Sequence, residues 1–311
     1  MKVYKAKSRV HCGLLNESGL FDRVDGGIGF TLDDPSFEFS LTKPGTGIEF
    51  SCHVSKDLIK SIEACFNSME HEIGRALPGI NVIKSIPIHI GLGSKTAILG
   101  TIVRSVFERL NKPLSDQQLC ELSGRGGTSG IGINSFQSEG FLWDMGKPLR
   151  EKSGFSPSSL SVPKRLNSCV TLSANWLKCV HLRFDEIGIS GKDESDFFQK
   201  NCPIPEQEAM TSLALVSGSL VPSILERDEI LLNYSLGQLQ NLGLKKREWE
   251  IQGNNTKLFR SYWKSLNSDF ALCLSSVGPT VFVITSKPDV VLSMVGDYEG
   301  SPVHICVSDI V

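Results

Sequence analysis

The chain has 311 residues, 40% of them hydrophobic and 21% charged, with 32 Lys and Arg against 34 Asp and Glu for a formal net charge of −2. That composition excludes a disordered chain and leaves no basic block to hold nucleic acid through its phosphates. The 9 cysteines form no C-x-x-C and have no paired His spacing beside them, so the sequence carries no zinc motif and reduced thiols in the cytoplasm are expected. The start, "MKVYKAKSRVHCGLL", lacks the apolar region of a signal peptide, no apolar run is read as a membrane span, and no membrane partner is expected.

In chain order, "KVYKAKSRVHCGLL" alternates as a strand, and "IGFTLDDPSFEFSLT" reads as strand, turn, strand. Leu58, Ile59, Ile62, Ala64, Cys65, Met69 and Ile73 recur at helical spacing up to Gly74. "INVIKSIPIHIGLG" is extended and leads into a second helix striped by Ile98, Leu99, Ile102, Val103, Val106, Phe107 and Leu110. Ser115, with Gln118 three residues on, caps a third helix ending near Gly124, and Leu114 can staple against Leu119. "GFLWDMG" reads as a strand. The Ser- and Pro-rich stretch at 150–168 is the best linker signal, dividing domains at 1–155 and 156–311. Beyond it come a strand, "CVHLRF", a charged loop, "GISGKDESDFF", two helical segments covering 205–243, and two strands joined by a turn in "FALCLSSVGPTVFVITSK". Mixed strands and helices in both halves predict an α+β fold.

Four glycine clusters punctuate this pattern: "RVDGGIG", "GLGSKT", "GRGGTSGIG" and "SSVGPT". A glycine-rich turn feeding a helix offers unpaired N–H groups and the positive end of the helix dipole, which suits phosphate or pyrophosphate. Gly91 and Gly93 permit close approach of backbone, and Ser94, Lys95 and Thr96 add hydroxyl and ammonium groups. A tight strand-to-helix turn without a ligand is the competing reading. The P-loop is excluded because Ser94 precedes Lys95 where glycine is required, and G-x-G-x-x-G because Thr96 stands at its last position. Arg125, Gly126, Ser129 and Gly130 in the third cluster, and Ser275, Ser276, Gly278 and Thr280 in the fourth, are further candidates for holding a polyanion. Read singly, the third cluster is a flexible loop and the fourth a hairpin turn.

"PIHIGLGSKTA" resembles the phosphate-binding motif of the GHMP kinase superfamily, with Lys95 and Thr96 in place of the usual small residues. Together "SRVHCGLL", "RVDGGIGFTLD", "IGLGSKTA", "GRGGTSGIGINSFQSEGFLWDMG" and "LSSVGPTVF" are similar to the β-ribofuranosylaminobenzene 5′-phosphate synthase family, over about residues 7–285. Gly127 and Thr128 stand where that family often carries further basic residues. The resemblance implies a GHMP-kinase-like two-domain fold, with an N-terminal ribosomal-protein-S5-like domain and a C-terminal ferredoxin-like domain. It also implies transfer of ribose 5-phosphate from phosphoribosyl pyrophosphate to 4-aminobenzoate or a related benzoate, releasing CO2 and pyrophosphate, toward methanopterin-type cofactors. Mg²⁺ on the pyrophosphate would then rest on one or two carboxylates, with Asp22, Asp25, Asp33 and Asp144 as candidates. Arg9, Arg23 and Arg125 suit the benzoate carboxylate. His11 orients a substrate oxygen or is simply a structural hydrogen-bonding residue. Cys12, beside His11, is read as a buried thiol ahead of a nucleophile, and Trp143 as a core aromatic next to Asp144. Two alternatives stand: an ATP-dependent GHMP small-molecule kinase, which needs a catalytic Asp with a partner Lys, and a non-catalytic phosphate-ligand binding protein. A homodimer is common in the superfamily.

Overall fold

The computed structural model describes residues 2–135, 138–152, 154–155, 166–189, 191–300 and 302–311. Most of the expected linker, 156–165, and with it the expected division between domains, lies outside the described residues.

The first sheet is organised by one long strand. β1 (Val3–Asn16) pairs antiparallel with β2 (Arg23–Pro44), from Val3 opposite Ser40 to Asn16 opposite Asp25. The expected strand–turn–strand is therefore a single strand. Lys7 pairs with Ser36 and Ser8 with Leu32, so Asp33, Asp34 and Pro35 bulge from the ladder, and β2 continues along the same partner instead of folding back. β3 (Ile48–Phe50), β4 (Pro78–Lys84), β5 (Phe141–Asp144), β6 (Lys147–Pro148) and β7 (Cys169–Leu172) complete the sheet in the order β3-β4-β2-β5-β7, with β1 and β6 also on β2. β7 joins this sheet although it follows the linker.

Three helices cover one face. α1 (Lys56–Ile73) starts where Ser55 accepts the N–H of Leu58 and stops at Gly74, whose φ of 70° ends it as glycine allows. α2 (Ser94–Arg109) buries Ile98, Ile102, Val103 and Val106 completely, each side chain contributing roughly 1.5–3 kcal/mol by its removal from water. α3 (Asp116–Ser123) has the expected capping box between Ser115 and Gln118. The short α4 (Ile131–Asn134) follows the third glycine cluster.

The second sheet runs β11-β8-β10-β9, from β8 (Lys178–Arg183), β9 (Cys273–Leu274), β10 (Val281–Thr285) and β11 (His304–Asp309). Around it lie α5 (Lys192–Asn201), α6 (Glu206–Leu215), α7 (Val221–Glu226), α8 (Glu229–Leu239), α9 (Gly243–Glu250), α10 (Asn254–Ser265) and α11 (Pro288–Gly296). The segment expected as a charged loop is α5, which begins after Gly191 and is anchored by buried Phe197 and Phe198. α6 and α7 run together through one π turn as a 21-residue helix, Glu206–Glu226, long and apolar enough by length and composition to cross a membrane. The helical segment expected from 205 matches it; Ala209, Val216, Leu220 and Ile224 bury one face of it against the protein, while Met210 and Leu225 stay exposed. The sheets share a core in which Val10, Phe30 and Leu32 of the first meet Cys179, Phe282 and Ile284 of the second. The fold is α+β, as expected.

Candidate active site

A cavity of about 370 Å³ opens where the two sheets meet. Its floor is β1, which contributes Arg9 and His11. Around it stand three of the four glycine clusters, through Gly91–Thr96, Arg125–Gly132 and Ser276–Gly278. The fourth lies under the floor: a side chain at Gly27 would come 3.1 Å from the His11 ring, so glycine is what lets β2 pass beneath it.

The "GLGSKT" loop is shaped from behind. Gly91 and Gly93 have φ of 87° and 65°, and a Cβ on Gly93 would lie 2.6 Å from the Arg9 guanidinium. Arg9 Nη1 donates to Gly91 O at 2.9 Å. Ser275 Oγ donates to the same oxygen at 2.7 Å and accepts from the His11 N–H at 3.0 Å. Thr280 Oγ1 donates to Ile90 O at 2.5 Å. Ser94 Oγ is turned back onto Pro87 O at 2.9 Å, so it serves the loop. The N-terminus of α2 carries no side-chain cap and no acidic residue in its first turn. Its free N–H groups and positive dipole end therefore face the cavity beside Lys95 and Thr96.

The cations here are crowded. Burial, and then the Arg125 charge, lower Lys95; burial lowers Arg125; burial and then Lys95 lower His89. Arg9 is brought down to about 10 by burial. His11 is held well below the usual histidine range by burial and then by Arg9 and Lys245, so its ring is neutral, with Nε2 3.0 Å from Ser129 Oγ. An anion entering this cavity relieves each of those penalties. Two carboxylates also line it. Glu194, from α5, is raised by burial and then by Glu248, against the pull of Arg125. Glu248, from α9, is ion-paired with Lys245, which also donates to Ser276 O at 2.9 Å. Leu14, Ile189, Phe198 and Val277 supply an apolar wall.

Of the residues expected from sequence, Arg9, His11, Gly91, Gly93, Ser94, Lys95, Thr96, Arg125, Ser129, Ser276 and Gly278 line the cavity. Ser275 and Thr280 brace it. Gly126 is buried beside Arg125, and Gly130 donates its N–H to Asp144 Oδ2 at 2.6 Å. Arg23 and Asp144 lie outside it. The Arg23 guanidinium is bonded to the carbonyls of Met145 and Gly146. Asp144 is fully buried, and its carboxylate is occupied by the N–H groups of Gly130 and Gly146 and by Asn167. Cys12 is in the core, its thiol pushed up to about 12 by burial, which removes it as a nucleophile.

The Mg²⁺ candidates fare no better. Asp22 faces Arg150 at 3.9 Å, Asp33 takes Lys5 at 2.6 Å, and Asp25 is buried against Lys152 at 2.7 Å. None of these lines the cavity, where the carboxylates among the described residues are Glu194 and Glu248. Behind the cavity Lys152 also donates to Thr128 at 3.2 Å, and Lys147 to Gly127 O at 2.5 Å. Glu17 is fully buried near them, with neither carboxylate oxygen hydrogen-bonded among the described residues. Burial and then Asp25 hold it well above the usual carboxylate range.

Sequence reasoning missed Glu194, Lys245 and Glu248. The first lay in a supposed loop, although Asp193 and Glu194 in its first turn and Lys200 in its last complement a helix dipole.

The family described as GHMP kinases N terminal domain matches residues 58–141. The β-ribofuranosylphenol 5′-phosphate synthase of Archaeoglobus fulgidus is 32% identical over 91% of this chain and 87% of its own length. The synthase of the same name from Methanothermobacter thermautotrophicus is 31% identical over 96% and 93%. Among solved structures, Streptococcus pneumoniae phosphomevalonate kinase superposes with a TM-score of 0.69 at 12% identity, covering 99% of each chain. Methanococcus jannaschii mevalonate kinase does so with 0.65 at 12%, covering 100% of this chain and 98% of its own. Those kinases share the fold, whereas the synthases share sequence along almost the whole chain; this chain is an enzyme of the GHMP superfamily and belongs to the β-ribofuranosylphenol 5′-phosphate synthase family.

Proposed function

We propose that the cavity transfers ribose 5-phosphate from phosphoribosyl pyrophosphate to a 4-substituted benzoate, releasing CO2 and pyrophosphate. The observation that carries this reading is the pairing, in one cavity, of an uncapped helix N-terminus flanked by Lys95 and Arg125 with an apolar wall of Leu14, Ile189, Phe198 and Val277. One side suits a polyanion and the other an arene. The relatives' name puts a phenol in their product, which favours 4-hydroxybenzoate over 4-aminobenzoate as acceptor. A methanopterin-type product pathway stays part of the proposal, as does the cytoplasm, for which nine free cysteines argue.

In this reading the N–H groups of α2 and Lys95 hold the pyrophosphate and strengthen their hold as charge grows on it, which favours the transition state over the ground state. Arg125, more open than Arg9, takes the benzoate carboxylate through paired bonds. Glu194, its basicity raised, accepts the hydroxyl proton while the ring carbon bearing the carboxylate attacks the ribose carbon. The pyrophosphate leaves with the electron pair of the broken C–O bond. Loss of CO2 returns the C–C pair to the ring, and the proton goes back to the phenolic oxygen. Mg²⁺, when bound, would neutralise pyrophosphate charge.

The kinase alternative needs a catalytic Asp with a Lys partner, and among the described residues lining the cavity none is an aspartate. Purified protein is incubated with Mg²⁺ and either hydroxy- or aminobenzoate, with phosphoribosyl pyrophosphate or ATP, and products are followed by mass spectrometry. A decarboxylated ribosyl-arene formed with the sugar donor alone is expected. ADP formed with small alcohols, and no riboside, overturns the reading.

A further inference from the structure

Away from the cavity, the second sheet gathers three side chains that no part of the reaction uses. On β11, His304 and Cys306 are two residues apart and so share a face; Cys306 stands opposite His181 of β8. The imidazole rings are 5.7 Å apart between centroids, and the ligand atoms of His181, His304 and Cys306 all lie within 4.8 Å of one another. His181 is 1% exposed, while His304 and Cys306 are half-buried, so one side of the cluster is walled and the other is open.

The surroundings orient the walled ligand. Ser308 Oγ donates its single hydrogen to the backbone oxygen of Asp34, on the β2 bulge. It must therefore accept at its contact with His181 Nε2, 3.0 Å away. That puts the imidazole proton on Nε2 and leaves the lone pair on Nδ1. Histidine ligands are commonly fixed in this way, by a hydrogen bond on the nitrogen that does not bind.

We propose that His181, His304 and Cys306 form a three-ligand site for a zinc-class transition ion, with its fourth position open to water. Two imidazoles and a thiolate select zinc, cobalt or copper over magnesium. Bond lengths of about 2.0–2.3 Å to nitrogen and sulfur bring tetrahedral ligands to roughly 3.5 Å apart, a closure that rotation of the half-buried His304 and Cys306 side chains supplies. Binding releases the Cys306 thiol proton to solvent and changes no oxidation state. The ion would staple β11 to β8 next to the β2 bulge. The fold alone brings these residues together, which is why no zinc motif is legible along the chain.

The test is titration of the full-length, reduced protein with Co²⁺ under anaerobic conditions, without substrates, so that it is independent of the synthase reading. Expected are tetrahedral Co²⁺ bands and a thiolate-to-metal charge-transfer band that saturate at one equivalent and are displaced by Zn²⁺. Cys306→Ser should lose the charge-transfer band, and both it and His304→Ala should weaken zinc binding at least ~10-fold; both positions are half-buried, and circular dichroism checks that the variants fold. No charge-transfer band, or the same metal affinity in the parent protein and both variants, overturns the site.

Discussion

Two sets of charged side chains sit a few residues apart in this fold and are used in opposite ways. Around the cavity, Lys95, Arg125 and Glu194 border open space, and burial lowers both cations and raises the carboxyl. Behind it, Asp25, Lys152, Lys147 and Asp144 are turned inward onto each other and onto the backbone of 127–130 and 146. The first set has bonding capacity left for a ligand; the second has used its capacity to set the loop that carries Arg125 and Ser129. A charged residue next to a glycine motif is thus no guide to chemistry until its partners are known.

The comparison is tested most severely at Asp25. Asp25→Asn leaves Lys152 buried without its counter-charge and should cost about 3–5 kcal/mol of stability, read from urea unfolding. A variant as stable as the parent but inactive would move Asp25 into the reacting set. Lys95→Ala should do the reverse, lowering kcat about 10²–10³-fold with the unfolding midpoint nearly unchanged; an equal loss of stability would erase the distinction.

Glu17 sharpens it through pH. Its folded pKa is raised, so above about pH 4.3 the unfolded chain releases a proton that the folded chain keeps. The stability this group provides is complete below that pH and is lost as pH rises toward the folded pKa, by about 1.4 kcal/mol per unit. Glu17→Gln, neutral at every pH, should make unfolding midpoints fall less steeply between pH 5 and 7, the remaining slope coming from Asp25, whose carboxyl burial raises to about 6. Smallest is Ser275→Ala, which removes a brace from Gly91 O and should cost about 1 kcal/mol, seen as a higher KM for the sugar donor.

Much of this was legible in the chain. Glycines at 91 and 93 announced a close approach of backbone, and the spacing of Ile98, Ile102 and Val106 announced a buried helix. What stayed hidden depends on long-range partners. Arg23 and Asp144 have the chemistry of a site but bond to Met145, Gly146 and Gly130, which spacing does not reveal. Glu194 lay in a segment whose charge masked a helix held by Phe197 and Phe198. Lys245 and Glu248 lie beyond the helical segments expected from sequence, and the fold buries both in α9.

The brace from Ser275 and Thr280 to the loop at 90–91 has a consequence in time as well as in space. The chain emerges from the ribosome with this glycine loop 184 and 190 residues ahead of the two residues that hold it in shape. A nascent chain therefore carries the loop long before it carries the hydroxyls that brace it, and the cavity wall is complete only once the second sheet has docked.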